Sequence, residues 1–211
     1  SEPAVPQGVA VVPIFGTITP HGGLFTQVSG GTSVEGIRAD VQAALADDDV
    51  HSVLLRVDSP GGSVEGIPEL AAELLAARGR KPIVAQADGW AASAAYWLAS
   101  AADELVVTPS GQVGSIGVVS VHEDHSGALA QKGINMTVVT SGKHKAERHP
   151  ARPLGPDAVD DMQRKSDAYY EMFTAGVAAA RGVKVDEVTS GFGEGRMVLA
   201  ADAVRMGMAD R

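Results

Sequence analysis

Six short runs dense in valine, isoleucine and leucine constrain this chain more than any other feature. They occupy residues 9–14, 52–58, 82–87, 104–108, 116–121 and 134–140. Several are too continuously apolar to leave one face in water, which is the pattern of strands covered on both sides. Helical patterns lie between them. Val34, Ile37, Val41 and Leu45 share one face after a candidate cap at Ser33, and Ile67, Leu70 and Leu74 share another after Ser63. Pro68 is tolerated in a first helical turn, and Gly79 supplies a stop. A third helix is expected over residues 91–101, with Ser93 in its first turn. The longest is expected over 156–181, where Val159, Met162, Tyr169, Phe173 and Val177 recur at core-packing spacing. Strands alternating with helices imply an α/β fold. The 211 residues suffice for a single domain, helical from about residue 156 onward.

Composition excludes several kinds of function. The formal net charge of -9, with no Lys/Arg-rich run, argues against a nucleic-acid partner, because phosphate binding needs clustered cations. The absence of cysteine removes disulfides, thiolate nucleophiles and zinc–thiolate sites together. No metal or cofactor is expected. The longest apolar stretches are far shorter than the roughly 20 residues of a membrane-spanning helix. With only 4% aromatic residues, the core must be built from Val, Ile, Leu, Ala and Met.

Residues 16–31, rich in Gly, Thr and Ser, read as a surface loop without a period. Residues 141–155, with two Lys, two His and two Pro, read as a second irregular stretch that suits a site. Asp58-Ser59-Pro60-Gly61-Gly62-Ser63 joins an apolar strand to a helix. Paired glycines let backbone pass close to a ligand, and an N–H near a helix start can stabilise an oxyanion. Around Ser93, the residues Ala91, Ala92, Ala94 and Ala95 leave the hydroxyl approachable, and the Ala94 N–H would be a first-turn donor. The arrangement follows the logic of a nucleophile elbow without its usual spelling.

A nucleophilic serine needs a base, and the chain offers six His and several Lys. Lys143 and Lys145 follow the run at 134–140. A lysine acts as a base only when shielded or crowded by cations, so the working one should be buried and its neighbour exposed. Ser115, between Gly114 and Ile116-Gly117, is a hydroxyl able to hold an ammonium group. Taken singly, Ser93 reads as a helix-packing serine and either lysine as solvated charge.

Together these elements resemble the signal peptide peptidase A family of serine–lysine peptidases, most of all its tailed-phage capsid-assembly members. The likeness runs from Val9-Ala10-Val11-Val12-Pro13-Ile14 through Ser59-Pro60-Gly61-Gly62, Ala91-Ala92-Ser93 and Gly114-Ser115-Ile116-Gly117 to Ser141-Gly142-Lys143-His144-Lys145. It closes on Gly195-Arg196, Ala200-Ala201-Asp202-Ala203 and Gly207. The resemblance implies a Clp protease/crotonase-like spiral of strand-strand-helix repeats. It implies Ser93 as nucleophile, Lys145 as general base, Ser115 as orienting hydroxyl, and Gly61, Gly62 and Ala94 as oxyanion and substrate-binding residues. The family often has Gly-Gly after the nucleophile; Ala94-Ala95 here imply a narrower pocket, suited to small side chains. Polypeptide substrates, among them capsid scaffold or portal proteins, and a homo-oligomer also follow from the resemblance. So does a location in the cytoplasm or within an assembling capsid. The family's signal-peptide-degrading members of the bacterial envelope give the alternative.

Three rival readings stand beside this one. A Ser-His-Asp enzyme would use His122, although Asp124 and Glu123 are too near in sequence to orient its ring easily. A crotonase-like acyl-coenzyme A enzyme needs a basic patch for nucleotide phosphates, which the sequence lacks. A peptide-binding module without activity is disfavoured by Ser93, Ser115 and Lys145 occurring together.

Overall fold

The computed structural model describes residues 8–23 and 30–211. In chain order the elements are β1 (Val9–Thr19), β2 (Thr32–Ser33), α1 (Val34–Ala46), β3 (Ser52–Gly62), α2 (Ile67–Ala77), β4 (Ile83–Ala92), α3 (Ala94–Ser100), β5 (Glu104–Val107), β6 (Gln112–Gly114), α4 (Ser126–Gln131), α5 (Pro156–Arg181), α6 (Val185–Gly191), β7 (Met197–Leu199) and α7 (Ala200–Arg205). The chain divides into two compact units, Ser1–Gly117 with Met172–Arg211, and Val118–Glu171.

The first unit is built on a sheet ordered β2-β1-β3-β4-β6-β7, with β5 also paired to β4. Every pairing is parallel except β6 with β7. Strand β4 serves two neighbours in succession: Val84–Ala87 pair with β5, and Trp90–Ala92 pair with β6. The ladders shift register between Phe15 and Thr17 and between Val57 and Ser59, so the central strands bend at one level. The bend lets β3 and β4 continue past their apolar runs, through Pro60-Gly61-Gly62 and Gly89-Trp90-Ala91-Ala92, to the place where Ser93 stands.

The core is mainly aliphatic, with Tyr96, Trp97, Phe173 and Phe192 buried beside the Val, Ile, Leu and Ala side chains. Ile14, Leu55, Val57, Ile83, Ala85 and Ala87 of the central strands are fully buried. Val34, Ile37 and Val41 of α1, and Ile67, Leu70 and Leu74 of α2, are buried as their spacing predicts. Ser33 caps α1 by accepting the Gly36 N–H at 3.1 Å. Ser63 does not cap α2; its hydroxyl donates to the Glu65 carboxylate, and the helix begins after Gly66. Gly79 lies two residues beyond α2 at φ +80, the left-handed conformation that ends helices.

Helix α3 is only about two turns long and is buried at every position, an unusual degree of enclosure that fixes it rigidly. Trp97 stacks on Phe173 of α5, centroids 4.7 Å apart and planes within 7°. At the far end, the Arg78 guanidinium donates to the carbonyls of Ser100, Ala101 and Ala180 at 2.9–3.0 Å. A cation there also complements the negative ends of α3 and α5.

Residues 208–211 are bound to the same unit. Met208 O accepts the buried Tyr96 hydroxyl at 3.0 Å, and Arg181 donates to both Asp210 oxygens at 2.8 and 3.0 Å. Burial raises the Asp210 pKa, but the Arg181 hydrogen bond and charge and the Leu105 N–H more than offset it, leaving the carboxyl below its ordinary range. A depressed carboxyl pKa stabilises the fold above the unfolded value of about 3.9 and ceases to do so as pH falls through the folded value. Asp210→Asn should therefore lower the melting temperature at pH 7 and make it less sensitive to acid below about pH 4. Parallel acid loss in both proteins, followed by circular dichroism, would show that another group carries it.

The structure departs from several further expectations. Residues 116–121 and 134–140 are not strands and have no ladder partner among the described residues. Val119, Val121, Ile134, Met136, Val138 and Val139 are exposed, so apolar content without a paired neighbour did not produce a strand. Helix α3 starts later than expected, because Ala91 and Ala92 are held in β4 by Val113 and Gly114. In α5 Phe173 and Val177 are core as expected, but Val159 and Tyr169, in the part belonging to the second unit, are exposed. Finally, residues 16–19 belong to β1 rather than to a loop, while 24–29 of the expected loop lie outside the described residues.

Candidate active site

Ser93 occupies the junction between β4 and α3 with φ 52 and ψ -124. An L-residue avoids that backbone, and such residues persist only where the surrounding structure over-determines them. Two hydrogen bonds do so: the Ser93 N–H donates to Gly114 O at 2.8 Å, and the Ser93 carbonyl accepts the Trp97 N–H at 3.0 Å. The side chain is half-buried while its neighbours Ala91, Ala92, Ala94 and Ala95 are buried. Those alanines pack inward, so their smallness serves the close fit of α3 rather than lining an open pocket.

Gly61 passes directly beside this turn. A Cβ on it would stand 2.7 Å from Ser93 Cβ and 2.8 Å from Ala92 O, closer than side chains come, and 3.0 Å from Ala94 N. At Gly62 the crowding comes from β1, where a Cβ would meet Ile18 O at 1.9 Å. Both glycines are therefore demanded by backbone approach. They lie at the end of β3 rather than in a turn. The Gly61 N–H is engaged by Ser59 Oγ at 3.1 Å, and that hydroxyl donates to Gly16 O at 2.6 Å. The Ser63 N–H donates toward β1, to Ile18 O at 2.9 Å. The Ala94 N–H opens α3 and has no intrahelical acceptor.

Ser115 also has a left-handed backbone, φ 52, and is half-buried. Its N–H donates to Arg196 O at 2.9 Å. The structure thus gathers Gly61, Ser93 and Ala94, with Ser115 connected to them through the Gly114–Ser115 peptide.

Lys145 belongs to the second unit, in a run of turns where its N–H donates to Gly142 O at 3.2 Å. It is exposed, contrary to the expectation of a shielded base, and so is Lys143. The two differ in partners. Lys143 stands 3.7 Å from Asp157, whereas Lys145 forms no ion pair among the described residues. Nearby, Asp161 accepts from Lys165, Arg148 and Arg164 at 2.6–2.9 Å, and the hydrogen bonds from Lys165 and Arg148 hold its carboxyl below the ordinary range. His122 approaches the Arg152 carbonyl at 3.2 Å, and the Asp124 carboxylate accepts the Ser126 N–H at 2.9 Å. Neither makes the imidazole–carboxylate bond a triad requires.

A largely parallel sheet of this topology defines a class of α/β fold that a solved protein shares. The structure is similar to that of a mutant of the 1510-N membrane-bound stomatin-specific protease, with a TM-score of 0.62 over 98% of this chain and 80% of that one at 13% identity. The Clp protease/crotonase-like fold implied by the resemblance is thereby borne out. Residues 76–211 match the model of peptidase family S49, and the chain belongs to that family. It is 38% identical over 206 residues to the head-tail preconnector protein GP5 of Enterobacteria phage P21, covering 98% of this chain and 41% of that protein. Against capsid assembly protease C of Escherichia phage lambda the identity is 35% over 206 residues, 98% of this chain and 46% of that one. The chain spans less than half the length of these two relatives.

Proposed function

We propose that this chain is the catalytic domain of a serine endopeptidase that uses Ser93 as nucleophile and Lys145 as general base. The observation that carries the reading is the backbone of Ser93: a non-glycine residue held at φ 52 and ψ -124 on a strand-to-helix turn, the arrangement that exposes a nucleophile. The Gly62 and Ala94 N–H groups are the oxyanion donors, and Gly61 leaves room for the acyl group between them. Neutral Lys145 accepts the Ser93 proton as the hydroxyl attacks the scissile carbonyl, then returns one to the leaving amine. Ser115 orients the ammonium through its hydroxyl. Water deacylates the enzyme by the same base. Because Lys145 is exposed in the single chain, its shielding comes from bound polypeptide or a further copy.

The likeness to a phage capsid assembly protease and a phage head-tail preconnector protein supports a role in capsid assembly; scaffold or portal polypeptides would then be the substrates, in the cytoplasm or inside the assembling capsid. Among the described residues no helix is long and apolar enough to cross a membrane. A fluorophosphonate probe should label the protein at Ser93, mapped by peptide mass spectrometry. Labelling at another serine, or none at any pH, would remove the nucleophile assignment. Co-expression with scaffold and portal proteins should yield cleaved products; intact substrates beside a Ser93 that labels would overturn the capsid role alone.

A further inference from the structure

One peptide group stands between the two strained serines and is gripped at both ends. Its carbonyl, that of Gly114, accepts the Ser93 N–H at 2.8 Å, and its N–H, that of Ser115, donates to Arg196 O at 2.9 Å. The result is a continuous line from Arg196 through the Gly114–Ser115 peptide to the nucleophile, in which each bond polarises the next. Gly114 sits so close that a Cβ on it would be 2.8 Å from Arg196 O.

The carbonyl that anchors this line is aimed by an unusual turn. Gly193, Glu194 and Gly195 are consecutive left-handed residues, with φ of 83, 50 and 87. The Arg196 N–H closes the turn on Gly193 O at 2.9 Å, and β7 then pairs Met197 with Gly114 and Val198 with Val113. Glu194 holds a conformation that suits glycine, which persists only where the surroundings impose it.

We infer that the 193–196 turn is a positioning element of the Ser93 site, acting on the nucleophile through the Gly114–Ser115 peptide. The inference rests on the reading of Ser93 as nucleophile. The main-chain carbonyl of Arg196 sets the plane of that peptide, and the plane sets where the Ser93 backbone, and hence its hydroxyl and the Ala94 N–H, are held. Misplacement of reacting groups by about 1 Å costs on the order of a hundredfold in rate.

Gly195 and Gly79 provide a matched pair for the test. Both are left-handed, at φ 87 and 80; a Cβ on Gly195 would make only an ordinary contact, 3.7 Å from Ile116 O, and one on Gly79 would meet nothing within 4 Å. Alanine at either position therefore changes backbone preference without a clash. In the full chain, Gly195→Ala should slow the maximal rate of acylation by a fluorophosphonate at least about tenfold, with probe affinity within about twofold of wild type. Gly195→Asn, which tolerates left-handed backbone, should recover to within about threefold. Gly79→Ala should lower the melting temperature comparably and acylate at the wild-type rate. Equal acylation by Gly195→Ala and wild type would overturn the inference, and so would equal slowing by Gly79→Ala. If Gly195→Ala does not fold, replacing the Ser115 N–H by an ester oxygen removes its hydrogen bond to Arg196 O; an unchanged rate there overturns the inference as well. Wild-type protein that does not label at Ser93 overturns both readings, whereas labelling that is indifferent to Gly195 overturns only this one.

Discussion

Ser93→Ala is expected to abolish peptide cleavage, a loss of roughly 10⁴-fold or more, with a melting temperature within a few degrees of wild type. The rate falls because the acyl intermediate has no atom to form on. Stability holds because alanine keeps Cβ and leaves intact the bonds from Ser93 N–H to Gly114 O and from Trp97 N–H to the Ser93 carbonyl. Ser93→Gly should be equally inactive yet more stable than Ser93→Ala by about 1 kcal/mol, because glycine has no penalty at φ 52. Inactivity with a gain in stability would mark strain kept for function. Residual cleavage by Ser93→Ala, purified free of contaminating protease, would place the nucleophile elsewhere.

Lys145→Ala is expected to slow acylation by roughly 10²–10⁴-fold, the usual contribution of a general base, whereas Lys143→Ala should stay within about threefold. The difference follows from their partners: Lys143 faces Asp157 at 3.7 Å, and Lys145 forms no ion pair among the described residues. Single-turnover labelling of each variant measures it, and both should fold, since each side chain is exposed. A reversed result would transfer the role to Lys143. A large loss in His122→Ala with Lys145→Ala active would favour a histidine base, and a limb near pH 6.5 in the pH–rate profile would accompany it.

The sheet and its helices were legible because burial leaves a period in the sequence. Val34, Ile37 and Val41, or Ile67, Leu70 and Leu74, can be read as faces without knowing what covers them. The same rule failed at 116–121 and 134–140, since β propensity records fitness for a pleated surface and is realised only beside a partner strand. Strand ends are equally hard to read from sequence. Gly89 and the Pro60-Gly61-Gly62 run look like turns, yet the neighbouring ladders carry β3 and β4 through them.

Within the candidate site, Ser93, Ala94, Gly61 and Ser115 stand out in the sequence because small residues and glycines cluster where backbone must approach backbone. Sequence reasoning did not single out the 193–196 turn as part of the site, although Gly193 and Gly195 flanking Glu194 were a visible signal of left-handed backbone. The role of Arg196 had no sequence signal at all, for it acts through a carbonyl that every residue possesses.

The amino-acid sequence by itself determined the α/β class, the aliphatic core and the few residues able to carry chemistry, since these depend on side-chain type and local period. Only the tertiary structure decided that Gly61 lies against Ser93 across β3 and β4, that Ser93 is hydrogen-bonded to the Gly114–Ser115 peptide, and that both serines are held at positive φ. Those facts depend on register and on hydrogen bonds between distant backbone groups, which are chemically identical in every residue and acquire their meaning only when the sheet has formed.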